Sequence, residues 1–146
     1  MKKFLALASF VALFSVAAFA QTGAQITFEK TVHDYGTIVQ DANGNCEFKF
    51  KNTGNEPLII SGAKGSCGCT VPEWSKEPIA PGQSGTIKVK YDTKRIGKFS
   101  KTVTVTSNAV NGTNGTMTLT IQGNVEAPGG SNLEKPTPAG SPTVKP

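Results

Sequence analysis

The sequence predicts an all-β fold, an immunoglobulin-like β-sandwich of about seven antiparallel strands. Short segments alternate apolar and polar side chains with a period of two, as strands with one buried face do. Turns rich in asparagine and glycine separate these segments, as in hairpins. No helical repeat of useful length follows the first twenty residues. Together these observations are typical of a sandwich of roughly a hundred residues.

Five segments alternate clearly, and they cover residues 26–30, 46–51, 87–91, 102–106 and 117–122. A continuous apolar run at residues 58–60 predicts a strand that is buried more fully. Asn111-Gly112 and Asn114-Gly115 predict the turn of a hairpin. The expected core consists of Ile26, Phe28, Phe48, Phe50, Leu58, Ile60, Ile87, Val89, Tyr91, Phe99, Val103, Val105, Leu119, Ile121 and Val125.

The first twenty residues have the composition of a secretory signal peptide. Lys2 and Lys3 form a charged start, residues 4–19 are almost entirely apolar, and small residues before and at Ala20 predict cleavage after Ala20. We therefore expect an exported protein, periplasmic or extracellular. No second apolar stretch is long enough to span a bilayer, so no transmembrane segment is predicted after cleavage.

The remaining chain divides into a folded domain at residues 25–126 and a tail at residues 127–146. Proline and glycine dominate the tail and leave no hydrophobic period, which predicts a disordered terminus. Loss of Lys2 and Lys3 lowers the formal net charge from +5 to +3. The basic residues are scattered along solvated strand faces without interleaved aromatic residues, so we expect no binding to nucleic acid.

Three cysteines follow the predicted signal peptide, and they allow at most one disulfide within the chain. Cys46 is two residues from Phe48 and four from Phe50, so all three side chains lie on the same face of the strand and Cys46 should face the core. Two interpretations of Cys46 stay open. It is either a small buried apolar residue or the disulfide partner of Cys67 or Cys69. Such a bridge would close a loop of roughly twenty residues and stabilise the fold by about 3 kcal/mol.

Cys67-Gly68-Cys69 is the candidate site for metal or redox chemistry. The two thiols are close enough to share a metal ion or to form a small-ring disulfide, whose strain would favour reduction. Soft thiolates select copper(I) or zinc, although a zinc site of the usual kind needs four ligands and a second cysteine pair is missing. His33 is a candidate third ligand. Its alternative is a histidine packed at a strand end.

The sequence predicts no catalytic residue and no resident cofactor. The alternative to the absence of a cofactor is a bound copper or zinc ion. A cysteine nucleophile paired with His33 lacks a third orienting residue, so we expect no enzyme. Trp74, the only tryptophan, lies in a proline-rich segment that we interpret as a loop. It is either a lid over one end of the sandwich or an exposed contact for a partner.

Several segments together resemble a bacterial family of exported proteins, the domain of unknown function DUF1573. The matching segments are residues 33–36, 50–58, 66–70, 81–89 and 91–93, and they span essentially the whole predicted domain. Tyr35 stands where that family usually has phenylalanine, and Cys46 is outside its pattern. The resemblance implies an immunoglobulin-like fold similar to that of ASPM, SPD-2 and Hydin domains, and an exported location. It implies no reaction.

Two functional hypotheses follow from the sequence. The first is an exported, non-enzymatic module that binds an envelope or surface protein, because edge strands of sandwiches pair with partner strands. The second is a metal-binding or thiol-redox protein that uses Cys67 and Cys69, with His33 as a third participant.

Overall fold

The computed structural model describes residues 22–129 and confirms the all-β sandwich. The predicted signal peptide and the tail from residue 130 onward lie outside this range, which contains no helix and therefore none long and apolar enough to cross a membrane. Eight strands are present: β1 (Ile26–Phe28), β2 (Val32–Val39), β3 (Asn45–Asn52), β4 (Ile60–Gly65), β5 (Thr70–Trp74), β6 (Ser84–Tyr91), β7 (Gly97–Ser107) and β8 (Thr116–Glu126).

The strands form two four-stranded sheets that face each other. The first sheet has the order β1-β3-β6-β5 and is antiparallel throughout. The second has the order β2-β8-β7-β4, in which β2 runs parallel to β8. The consecutive strands β1 and β2 thus belong to different sheets, and the chain crosses the sandwich between them. Each sheet has two edge strands.

The core lies between the inner faces of the sheets and follows the period of two. In β3, every second residue from Cys46 to Asn52 is buried and the intervening ones are exposed. Every residue of the expected core is buried except Phe28, which packs partly exposed against the others. Burial of each large apolar side chain contributes about 1.5–3 kcal/mol of transfer free energy. The alternation visible in the sequence therefore accounts for most of the core.

Two strands and one apolar run differ from the expectation. Residues 32–39 form β2, a strand that the sequence analysis did not predict and in which His33 is the second residue, and residues 70–74 form β5 instead of the predicted loop. The run at residues 58–60 alternates like the others, since Ile59 is 42 % exposed between buried Leu58 and Ile60. Leu58 makes only an isolated bridge to Ile79, so this run starts an edge strand instead of a doubly buried one.

Asn52 is a fully buried polar residue at the end of β3. Its Nδ2 group donates to the carbonyl oxygens of Glu56 at 2.7 Å and Ile79 at 2.9 Å. Its Oδ1 accepts from the backbone N–H groups of Gln25 at 3.3 Å and Gly54 at 3.0 Å. One amide side chain therefore satisfies backbone groups from the segment before β1, the loop after β3 and the loop before β6.

We expect Asn52→Asp to lower the free energy of unfolding by about 3 kcal/mol or more. The substitution keeps the shape, but it places a carboxylate oxygen against two carbonyl oxygens in a buried position. Urea denaturation measures the effect. Asn45→Asp, at the exposed start of the same strand, is the matched control and should change stability by about 0.5 kcal/mol or less. Equal urea midpoints for both variants would contradict this role of Asn52.

Candidate functional site: the cysteine loop and the sheet edges

The structure joins Cys67 and Cys69 in a disulfide within the short loop between β4 and β5. Their Cα atoms are 5.2 Å apart. Cys69 is 3 % exposed, whereas Cys67 is only partly buried and Gly68 between them is exposed. The alternative bridge to Cys46 is not formed. Cys46 is a free thiol buried on β3 opposite Val89, because its parity directs it into the core.

Backbone hydrogen bonds hold the cysteine loop from both sides. The Ser66 N–H donates to the Thr102 carbonyl on β7 at 2.8 Å, and the Ser66 hydroxyl accepts from the Thr102 N–H at 3.2 Å. The Asp92 N–H donates to the Cys69 carbonyl at 2.9 Å, just beyond β6. The loop is thus fixed between the two sheets, independently of its disulfide.

The hydroxyl of Thr70 lies beside both sulfurs. Its Oγ1 is 3.7 Å from the Sγ of Cys67 and 3.7 Å from the Sγ of Cys69. Thr70 is buried, and its hydroxyl makes no other hydrogen bond within residues 22–129. Sulfur is a weak acceptor when neutral and a much stronger one as a thiolate. The hydroxyl is therefore placed to interact more strongly with a reduced cysteine than with the disulfide.

Gly65, rather than Gly68, is the glycine that this loop requires. A Cβ added to Gly65 would collide with the backbone carbonyl of Thr70, because β4 and β5 approach closely where the loop closes. The position of Gly68 has no positive φ and open space around its Cα. The convergence of the two sulfurs therefore does not depend on a backbone conformation that only glycine adopts at position 68.

We expect Gly65→Ala to destabilise the fold by about 1–3 kcal/mol, because the backbone must shift to relieve the collision. Gly68→Ala, in the loop that directly follows Gly65, is the matched control and should change stability by about 0.5 kcal/mol or less. Thermal unfolding of the two oxidised variants compares them directly. A larger loss for Gly68→Ala would show that this description of the loop is wrong.

His33 lies far from the two sulfurs. It is on β2, at the opposite edge of the second sheet from β4, which corresponds to about 14 Å at the usual strand spacing. Its ring packs edge-on against Tyr35 with centroids 4.5 Å apart, and its Nδ1 is 3.2 Å from the Lys30 Nζ. Partial burial and the charge of Lys30 lower the pKa of His33, while Asp34 acts in the opposite direction.

In residues 22–129 no three His, Cys, Asp or Glu side chains are grouped to hold a metal ion. The structure thus brings together two of the three residues proposed for a metal site and leaves His33 apart. Binding of copper or zinc by the reduced Cys67 and Cys69 stays a prediction.

Cys46 is buried beside the side chain of Tyr35. Tyr35 donates its hydroxyl to the Gly44 carbonyl at 2.7 Å. Tyr35 packs on Phe99, which stacks on Tyr91 with centroids 3.8 Å apart. Cys46 is 6 % exposed, and its burial raises the pKa of its thiol. A thiol that is both covered and protonated reacts slowly with alkylating agents.

We expect no thiol of the folded, oxidised protein to react with iodoacetamide at neutral pH. In guanidinium without reductant, one thiol should react, and mass spectrometry should assign it to Cys46. Full reduction should then expose all three cysteines. Alkylation of Cys67 or Cys69 before reduction would contradict the disulfide seen here.

A side chain blocks the free edge of β1, proline blocks that of β5, and Trp74 engages one carbonyl at the free edge of β4. The Asn111 side chain brackets Ile26 of β1, as its Nδ2 donates to the Ile26 carbonyl at 2.8 Å and its Oδ1 accepts from the Ile26 N–H at 2.9 Å. The indole N–H of Trp74 donates to the Ile60 carbonyl of β4 at 3.2 Å. Trp74 is thus partly buried between the sheets, and its predicted contact with a partner stays a prediction.

Proline closes the edge of β5. Backbone hydrogen bonds alternate along β6, and the N–H of Asp92 donates toward β5. By this alternation Pro72, which lies opposite Val89, occupies a position whose nitrogen points away from β6. The proline therefore breaks no bond with β6, but it removes the donor that a further strand would need.

The free edge of β2 is different. The Thr31 carbonyl accepts from the Thr120 N–H, and the Gln40 N–H donates to the Glu126 carbonyl. These two bonds identify which residues of β2 direct their backbone groups toward β8. Alternation then directs the backbone groups of Val32, Asp34, Thr37 and Val39 away from the sheet, where the Val39 carbonyl accepts from the Ala42 N–H at 3.1 Å. Within residues 22–129, no strand pairs with this edge. A bulge at residues 35–36, with φ of 63° at Gly36, divides it into two short stretches.

Sequence reasoning missed Asn111 and the edge of β2. Asn111 was interpreted only as a turn residue, and its binding to Ile26 depends on a contact between segments that are distant in sequence. The signal for β2 was present in Val32, Ile38 and Val39, but the bulge at Gly36 interrupts its alternation.

The sequence matches the family described as "Protein of unknown function (DUF1573)" over residues 26–125. No protein of curated function matches the chain.

Among solved structures, a protein of unknown function from Porphyromonas gingivalis W83 is similar, with a TM-score of 0.63 and 13% identity over 74% of this chain and 50% of that one. The ASH/PapD-like domain 7 of human CEP192 has a TM-score of 0.55 and 7% identity, over 70% of this chain and 86% of that domain.

The secreted serine protease VesC from Vibrio cholerae has a TM-score of 0.53 and 12% identity, over 69% of this chain and 23% of the protease. The present chain thus spans half or less of the Porphyromonas and Vibrio proteins. At these identities the likeness shows the fold alone, and it confirms the immunoglobulin-like sandwich.

Proposed function

The chain belongs to the DUF1573 family, and we propose that it is an exported, non-enzymatic immunoglobulin-like module that binds a protein of the bacterial cell envelope through the free edge of β2. The observation that carries this proposal is the contrast among the four sheet edges. Asn111 brackets β1, Trp74 engages one carbonyl of β4 and Pro72 blocks β5. In β2, the backbone groups directed away from the sheet have no hydrogen-bond partner in residues 22–129, except the Val39 carbonyl, which accepts from the Ala42 N–H at 3.1 Å.

Sheet edges that are left open are a liability, because they pair with other chains and promote aggregation. Three protected edges beside one open edge therefore favour a recognition role for β2. The partner that fits is an extended segment of another protein. Its backbone would supply hydrogen bonds to the edge, and its side chains would contact the exposed valines at the two ends of β2.

Two features support the chemistry of this edge. Val32 and Val39 are among the most exposed large apolar residues of the described chain. Between them Asp34 fixes the bulge, because its Oδ1 accepts from the Gly36 N–H at 2.7 Å and its Oδ2 accepts from Gln122 at 2.9 Å. The edge is therefore ordered before any partner binds, which reduces the entropy cost of binding.

The exported location belongs to the same proposal and rests on the predicted signal peptide. Mass spectrometry of the secreted or periplasmic fraction, with a new N-terminus at Gln21, tests it. A chain that stays cytoplasmic with an uncleaved N-terminus would contradict it.

Site-specific photo-crosslinking in living cells tests the β2 edge. A photoreactive amino acid replaces Val39 on β2 in one strain and Val71 on β5 in another. The two valines are a matched pair, because they are 57 % and 52 % exposed on edge strands and differ in whether the edge is open. We expect a crosslinked product at position 39 and at least tenfold less at position 71.

A second variant separates backbone pairing from general proximity. Thr37→Pro removes an N–H that faces the free edge, and it should abolish the crosslink at position 39 while thermal unfolding stays cooperative. Equal products at both positions, a product made of two copies of this chain, or a crosslink to residues 130–146 would each overturn binding of a distinct envelope protein at this edge.

A further inference from the structure

We propose that the Cys67–Cys69 disulfide is a thiol–disulfide exchange site, which accepts electrons from a pair of cysteine thiols on another protein. The site is separate from the free edge of β2, which lies across the second sheet. Four observations support it: the short loop, the unequal burial of the two sulfurs, the position of Thr70, and the separate anchoring of the loop.

The disulfide contributes little to folding. In the chain-entropy model, a loop that encloses only Gly68 yields about 1.6 kcal/mol, roughly half the value for a bridge across twenty residues. The loop is already held by the hydrogen bond from the Ser66 N–H to the Thr102 carbonyl on β7 and by that from the Asp92 N–H, just beyond β6, to the Cys69 carbonyl. The disulfide between Cys67 and Cys69 can therefore open without loss of the fold.

Unequal burial gives the two sulfurs different roles. Exchange requires an incoming thiolate to approach one sulfur along the disulfide bond. Cys67 is partly exposed, whereas Cys69 is 3 % exposed and cannot be approached from solvent. Cys67 is therefore the sulfur that is attacked, and Cys69 is the leaving group.

Thr70 stabilises the leaving group. As the disulfide breaks, negative charge develops on the Sγ of Cys69, 3.7 Å from the Thr70 hydroxyl. A hydrogen bond to a thiolate is stronger than one to a neutral sulfur, so the hydroxyl stabilises the transition state more than the oxidised ground state. The hydroxyl is buried and has no competing partner in the described residues, so little reorganisation is needed.

The exchange balances without a cofactor. A thiolate of the partner attacks the Sγ of Cys67, the bond between Cys67 and Cys69 breaks, and Cys69 leaves as a thiolate that takes up a proton. The second thiol of the partner then loses its proton and attacks its own sulfur in the mixed disulfide, which releases Cys67 as a thiol. The partner leaves with a disulfide, and two electrons and two protons remain on Cys67 and Cys69.

Reduction of the folded, oxidised protein by dithiothreitol tests the role of Thr70. Samples are quenched in acid, alkylated and assigned by mass spectrometry, so that Cys46 is distinguished from the loop cysteines. We expect Thr70→Val, which keeps the volume and removes the hydroxyl, to be reduced about tenfold more slowly than the wild type. Thr70→Ser should restore most of the rate. Equal rates for all three proteins, or a wild-type disulfide that resists reduction until the chain unfolds, would overturn the proposal.

Trapping of mixed disulfides tests the two sulfurs separately and does not depend on the fold of the Thr70→Val variant. Cys69→Ser leaves the Cys67 thiol and Cys67→Ser leaves the Cys69 thiol, and each variant is mixed with oxidised glutathione. We expect Cys67 to form the mixed disulfide at least tenfold faster than Cys69. Equal rates, or a faster reaction at Cys69, would overturn the assignment of Cys67 as the attacked sulfur. Circular dichroism confirms that both variants are folded.

Discussion

The end of β3 and the three loop segments around it depend on the buried amide of Asn52. Three segments that are far apart in the sequence meet at the end of β3, and each leaves backbone groups away from solvent. A buried backbone group without a partner costs about as much as a lost hydrogen bond, so the corner is stable only if all of them are satisfied together. An asparagine has two donors and an acceptor with two lone pairs in the right arrangement. The loops that lead into β1, β4 and β6 are positioned by this one side chain.

Most of the fold could be predicted because its core follows local alternation. In β3, β6, β7 and β8 the period of two alone decides which side chains are buried. The two strands that were missed are edge strands in which the pattern is broken. A bulge at Gly36 shifts the register of β2, and Pro72 suggests a loop until the pairing of β5 is known. In both cases the irregularity belongs to the edge and is set by tertiary contacts.

The candidate site was predictable only in part. Proximity in the sequence identified Cys67 and Cys69, and parity placed Cys46 in the core. Parity could not decide which sulfurs pair, because the loop between β4 and β5 has no period. The contacts of Asn111 and Trp74 with the sheet edges could not be predicted either. Each side chain binds a carbonyl on a strand distant in sequence, and the alternation of apolar and polar residues does not show which strands lie close together.

The parallel pairing of β2 with β8 has a mechanical consequence. The chain enters the domain beside the loop between β7 and β8, where the Val110 N–H donates to the Ala24 carbonyl. It leaves the domain at Glu126, the last residue of β8. β8 has 11 residues and is therefore about 36 Å long, so the two ends of the domain lie at opposite ends of the sandwich. Because β1 precedes β2, a force that pulls these ends apart acts first on the pairing of β1 with β3. Once β1 has separated, the force draws β2 and β8 in opposite directions along their axes, so their hydrogen bonds carry the load together in shear instead of opening one after another.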